Sequence, residues 1–188
     1  METGDLQILA DQYESMMTYL NSIPLDATHT PLWSTTFFQL GDWLDPLTPP
    51  NAPHRSPTDP QLVASAFLVY ILFLMVKISS ILRNQSDVTH FTIWHERAKS
   101  QFQALYTTPY GHLTSDSQTA YALAIVFDLL SSQQQILNAG ARLAHPIRRN
   151  NFLISTGFAG TPYVLEALIL THQAQTAYRM LLETRCPS

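Results

Sequence analysis

Two short stretches carry the residue types from which a binding chemistry could be built. In "GDWLDP", residues 41–46, Asp42 stands beside Trp43. In "ISTGFAGTP", residues 154–162, the hydroxyls of Ser155, Thr156 and Thr161 and the ring of Phe158 are set among Gly157 and Gly160. A carboxylate next to an indole suits a sugar, because its oxygens take hydroxyl protons while the C–H face of the pyranose lies on the aromatic plane. The glycine-bearing stretch lets a polar ligand approach the backbone at the start of a helix, where N–H groups lack intrahelical partners. Each stretch also has a purely structural reading: Asp42 as a cap or turn residue, Trp43 as a core plug, Thr161 as an N-cap, and the two glycines as turn residues.

Other chemistries find little support. His90 and His95 are five positions apart, and His145 and His172 stand alone, so no pair has the three- or four-residue spacing of a helical zinc site. They read as surface or internally bonded histidines, and neither metal nor cofactor is expected. Ser115, Asp116 and Asp128 read as caps and turn partners, not as parts of a Ser-His-Asp arrangement. Cys186 is the only cysteine, which excludes an internal disulfide and reads as an inert thiol. Ten Lys and Arg residues, scattered singly in a chain of net charge -4, give no basic stripe for a nucleic-acid backbone. Asn84-Gln85-Ser86 fits a glycosylation acceptor pattern that arises often by chance. Met1 is followed by acidic and polar residues with no signal-peptide pattern, and the compartment stays open.

The elements that must position these residues read as helices. Leu6, Leu9, Tyr13, Met16, Met17 and Leu20 form an apolar stripe at spacings of three and four that stops before Pro24. The run Leu62 to Val76 is shorter than the roughly 20 apolar residues of a bilayer span. With the start signal Asp59-Pro60 ahead of it, it reads as a buried core helix, and no membrane partner is expected. Phe91, Trp94, Ala98, Phe102 and Leu105 predict a helix capped by Ser86 or Asp87 and ended near Pro109. A further helix is expected from Ser115 or Asp116 to Leu130, another from Ser131-Ser132 to near Pro146, one from Thr161-Pro162, and a last one after a turn at His172. Some of these helices are apolar nearly all round and others amphipathic, which predicts an all-α fold with an inner layer wrapped by an outer one. Only 13% of residues are charged and 46% are apolar, so part of the surface is expected to need cover from elsewhere.

"GDLQILADQYESM", "FQLGDWLDP", "SQTAYALA", "STGFAGTPYVLEAL" and "AYRMLLETRCPS", in this order from Gly4 to Ser188, together resemble the catalytic domain of the family-78 glycoside hydrolases, the α-L-rhamnosidases. The resemblance implies a six-hairpin α/α toroid, here partial, with residues 1–188 forming part of a single catalytic domain. It also implies inverting hydrolysis of terminal α-L-rhamnosyl residues by two glutamates set about 6.5 to 9.5 Å apart to admit a water. On that resemblance Asp42, Trp43, Thr156, Phe158, Thr161 and Gln118 are substrate-binding candidates, with Gln118 at the start of an inner helix. L-rhamnose or a rhamnosylated glycoside is the expected partner. The family's Arg-Asp-Glu-Arg-like acid motif and Thr-Ile-Trp-Glu base motif do not occur in the chain. "TIWHE", residues 92–96, matches the latter in letters only, with His95 in the place of the Glu and Glu96 mid-helix. The expectation is a truncated domain, inactive on its own and prone to self-association through exposed inner helices. The rival is a non-enzymatic helical-hairpin module for binding or assembly.

Overall fold

The computed structural model describes residues 4–25 and 31–186. These form seven α-helices: α1 Leu6–Ser22, α2 Pro60–Ile81, α3 Gln85–Tyr106, α4 Gln118–Val126, α5 Gln133–Arg149, α6 Thr161–Leu170 and α7 Ala174–Leu181. Among the described residues there is no strand, only the isolated bridges Leu25 to Trp33 and Thr107 to Leu113. The fold is all-α, as the periodicity predicts. Two compact units are present, one of residues 1–37 with 68–101 and the other of 38–67 with 102–188, their boundaries falling inside α2 and α3.

In the first unit the phenol of Tyr13 ties three helices together. Its hydroxyl donates to Asp87 Oδ2 at 2.6 Å and shares a 2.7 Å bond with Ser79 Oγ. Burial, reinforced by the Asp87 carboxylate, pushes the Tyr13 phenol above its ordinary pKa. Trp94 Nε1 donates to the Pro31 carbonyl, and His95 Nδ1 lies 3.1 Å from the Val69 carbonyl oxygen. His95 is therefore an internally bonded histidine, and Glu96 is exposed on α3.

The second unit has the layering that the sequence predicts. α4 carries eight consecutive buried residues, Gln118 to Ile125, and packs against α5 and α6. It is an inner helix with no wet face. α5 and α7 are amphipathic and cover the inner pair, burying Leu143 and Ile147 on one and Ala177 and Met180 on the other. The rings of Phe67, Phe127 and Tyr163 join α2, the end of α4 and α6 edge to face, with centroids 4.9 to 6.2 Å apart.

Asp59-Pro60 starts α2 as expected, with Asp59 Oδ1 accepting from Gln61 N–H. The helix then runs through to Ile81, past the apolar segment ending at Val76. By length and composition it could cross a membrane, while half of its most apolar window is buried inside the fold. Other boundaries differ from expectation. α3 is capped by Asn84, whose Oδ1 accepts from Asp87 N–H, and not by Ser86 or Asp87. Leu105 is half-exposed while Tyr106 is buried in its stead. α4 is capped by Ser117 and ends at Val126. α5 is capped by Ser132 and passes through Pro146, because the buried Leu143, Ala144 and Ile147 on either side offset the one lost bond.

The helix ends share a device. Arg83, Asp128, Asn151 and His172 all have φ between 53 and 61°. After each, the next N–H closes back onto the last turn: Asn84 to Ser79, Leu129 to Ala124, Phe152 to Ile147 and Gln173 to Leu168, at 2.7 to 2.9 Å. These are Schellman-type closures built without glycine. Since a left-handed backbone costs an L-residue roughly 1 kcal/mol, His172→Gly, at an exposed position, is expected to raise unfolding free energy in urea by about that amount, whereas His172→Val lowers it.

Candidate functional site

Three helix N-termini of the second unit are fastened at one end. The Thr58 and Ser117 hydroxyls share a 2.7 Å bond, and Asp59 N–H donates to Ser115 Oγ at 3.0 Å, which joins the start of α2 to the start of α4. The start of α6 is joined through Asp42. That carboxylate is fully buried and takes four donors: Gly157 N–H at 2.8 Å and the Thr119 hydroxyl on Oδ2, Ala159 and Gly160 N–H at 3.0 Å on Oδ1. The amides are those left unpaired ahead of α6, so the anion sits where the helix N-terminus favours negative charge. In return Phe158 N–H donates to the Trp43 carbonyl at 2.9 Å.

This arrangement brings both sequence-predicted stretches together and gives their residues different tasks. All four lone-pair positions of Asp42 are occupied by this chain, which matches the cap-and-turn alternative. Thr156 and Thr161 bond each other through their hydroxyls at 2.8 Å, and Thr161 also donates to Gly157 O. Thr161 is the first residue of α6, not its N-cap; Gly160 occupies that position without a side-chain bond. Gln118 is buried, with Oε1 accepting from Ser155 N–H and Nε2 reaching Leu153 O. It lines a cleft of about 230 Å³ with Leu47, Pro57, Asp116, Asn150 and Ser155 among its walls. Trp43 is half-buried and Phe158 is 72% exposed, so both keep aromatic surface open to solvent. Gly157 is required by close approach, because a Cβ there would run into the backbone carbonyls of Asp42 and Trp43.

The sequence reading missed Asp45. Its Oδ1 accepts from Leu47 N–H at 2.8 Å and from Ser155 Oγ at 3.3 Å, while its buried Oδ2 has no partner. Burial raises the pKa of this carboxyl, opposed by the Leu47 N–H, and the nearby Asp42 carboxylate raises it further. The turn from Asp42 to Asp45 carries Leu44 at φ 64°, a left-handed conformation in which glycine is usual. At the rim of the cleft, Arg142 grips Asp116 with two bonds and lowers its pKa. Among the described residues no cluster of three His, Cys, Asp or Glu side chains could hold a metal.

The whole chain, residues 1–188, matches the model of the bacterial α-L-rhamnosidase six-hairpin glycosidase domain. An α-L-rhamnosidase of Formosa agariphila is 28% identical over 99% of this chain. The crystal structure of an α-L-rhamnosidase from Aspergillus terreus superposes over 98% of the chain with a TM-score of 0.94 at 32% identity. That of the Streptomyces avermitilis enzyme, complexed with L-rhamnose, does so with a TM-score of 0.83 at 28% identity. The chain spans about a fifth of the length of these relatives, 20%, 21% and 17% in turn.

Two outcomes follow from the carboxylates. Asp42→Ala leaves three amides without an acceptor, those of Gly157 and Gly160 buried and that of Ala159 half-buried, and is expected to cost about 3 kcal/mol, read by urea unfolding, with faster hydrogen exchange at Gly157, Ala159 and Gly160. For Asp45 the raised folded pKa means that the native state holds this proton more tightly than the unfolded chain. Its contribution is complete below the unfolded pKa and is lost as pH rises through the folded one. Asp45→Asn keeps an acceptor and cannot ionise, so it should flatten the decline of thermal stability across that window.

Proposed function

We infer the function of this chain from its family: it belongs to the bacterial α-L-rhamnosidase six-hairpin glycosidase domain family. Residues 1–188 form part of one catalytic domain whose parent activity is inverting hydrolysis of terminal α-L-rhamnosyl residues. The part played by this segment is to wall the sugar pocket. The observation that carries this reading is the Asp42 clasp, which sets the Trp43 and Phe158 stretches side by side at the inner-helix N-termini. Trp43 and Phe158 offer the apolar ring faces. Asp42, Thr156, Thr161 and Gln118 act by positioning, since their polar atoms are engaged with the two stretches themselves.

Hydrolysis needs a carboxylic acid and a carboxylate across the glycosidic bond, and the chain contains neither of the family's glutamate motifs. These 188 residues alone therefore bind without turning over. Titration calorimetry with L-rhamnose is expected to give weak binding, on the order of 1 mM, lost in Trp43→Ala, and no rhamnose release from an aryl rhamnoside. Wild-type binding that Trp43→Ala leaves intact would sink this assignment of the wall.

Ile169 and Leu170 on α6, Tyr178 and Leu181 on α7, and Leu182 after it are each at least half-exposed. Beside them lies a groove of about 360 Å³ with Phe152, Ile154, Leu165 and Met180 among its walls and Thr161 and Glu183 as its polar members. Exposed apolar surface of this kind associates, and a second copy of the chain is the proposed occupant. Sedimentation velocity should show a concentration-dependent dimer that Leu181→Lys, Leu182→Lys reverts to monomer. A wild-type monomer at every concentration would be the contrary result.

A further inference from the structure

Two clefts adjoin over the last turn of α5. The one of about 230 Å³ has Gln118 and Ser155 among its walls, and a second of about 380 Å³ is lined by Asp116, Arg142, His145, Pro146, Arg149 and Asn150. Asp116, Pro146 and Asn150 belong to both, which makes them parts of one hollow. The larger part alone reaches the size of a small-molecule site, roughly 300 to 1,000 Å³. Trp43 and Phe158 line neither part, so the hollow is separate from the aromatic wall of the rhamnosyl pocket. Its charge is unbalanced. Arg142, His145 and Arg149 stand three and seven positions apart and share one face of α5. Arg142 and Asp116 neutralise each other through two hydrogen bonds, and the adjacent Arg148 is engaged by Gln173 and Thr176. No described residue hydrogen-bonds the side chain of His145, Arg149 or Asn150, and all three are exposed. A last-turn arginine suits the helix dipole, but Arg148 meets that need equally while bonded to the start of α7. What sets Arg149 apart is the hollow that it lines.

We propose that this hollow is a second glycan site, which binds the carboxylate of an acidic sugar through Arg149 and His145, with the Asn150 amide at the junction and the sugar hydroxyls toward Gln118 and Ser155. A planar guanidinium meets a carboxylate with two parallel hydrogen bonds. One uncompensated guanidinium suits a singly charged group better than a phosphate dianion, which would be repelled more strongly by the Asp116 carboxylate in the same wall. The uncharged part of the ligand is a pyranose because of what the narrower cleft offers. Leu47, Pro57 and Pro146 give carbon surface for a ring face. Beside them Gln118 Oε1 accepts one bond, from Ser155 N–H, and keeps a lone pair for a hydroxyl.

The test titrates this chain at low ionic strength with D-glucuronate, D-glucose and inorganic phosphate, read from backbone amide chemical shifts. Glucuronate is expected to bind about tenfold more tightly than glucose, its neutral counterpart, the gain of one charge-assisted contact. The largest shifts should fall at Arg149 and Asn150. Arg149→Gln should bring the two affinities together, and Arg149→Lys should retain part of the preference. Arg148→Gln removes the same charge one residue away and should leave the preference intact. Affinity for L-rhamnose should be equal in all three variants. Equal binding of glucuronate and glucose by the wild type, or a preference lost as fully in Arg148→Gln as in Arg149→Gln, overturns the site. Phosphate that binds more tightly than glucuronate and competes with it makes the ligand an inorganic anion and overturns the proposal as well. A glucuronate preference in a chain that does not bind L-rhamnose supports this site and sinks only the rhamnosyl pocket.

Discussion

A single buried carboxylate organises the end of the second unit at which three helix N-termini are fastened. Asp42 would be costly to bury alone, since desolvation penalises an anion heavily unless donors replace the lost water. Here the donors are the three amides that precede α6 and one hydroxyl from α4, so two problems cancel: an anion without water and a helix start without acceptors. The consequence reaches beyond local stability. Because the partners of one side chain come from two other segments, the 41–46 turn, the start of α4 and the 157–160 stretch cannot move independently. Any surface presented by Trp43 and Phe158 inherits that rigidity.

The same logic of mutual satisfaction recurs in the shorter staples. Thr58 with Ser117 and Asp59 with Ser115 use hydroxyls to join the starts of two apolar helices, the half-buried α2 and the wholly buried α4. In α4 the buried residues that follow Gln118 and Thr119 are apolar, Ala120 to Ile125. Such a division suits a fold in which chemistry is done at one rim while the helices behind it supply only shape. Asp45 is the exception, a buried carboxyl with one oxygen unmatched, held next to a neighbouring carboxylate and a strained Leu44. Unmatched polar atoms and left-handed non-glycine residues concentrate at functional sites, and both are found in this one turn.

Much of the helical plan was legible in the sequence because it is written in spacing. The stripe from Leu6 to Leu20, of which Leu6 itself is half-exposed, the Asp59-Pro60 start and the mainly apolar α4 and α6 all depend on local pattern, and the layering follows from which helices have a polar face. Helix ends were harder. Readers of sequence look for glycine at a stop, and at Arg83, Asp128, Asn151 and His172 the left-handed residue is something else. In the candidate site, Asp42 and Trp43 stood out by type, yet the partners that fix the task of Asp42 lie at Thr119, 77 residues away, and at Gly157, Ala159 and Gly160, 115 to 118 residues away. No local pattern announces that pairing. Asp45 was present in the same quoted stretch, but its unpartnered oxygen is a property of packing, which residue order does not encode.

The glycine-free helix stops also bear on how such a chain can change over time. Each reversal is secured by main-chain groups, an N–H closing onto a carbonyl in the turn before it, and that closure is the same at four different residue types. Substitution there is graded and not prohibitive, so sequence can drift through the corners while the path of the backbone is retained. Lineages sharing this architecture can therefore diverge in residue identity far more readily than in shape, and the positions that resist drift will be those such as Gly157, where space itself forbids a side chain.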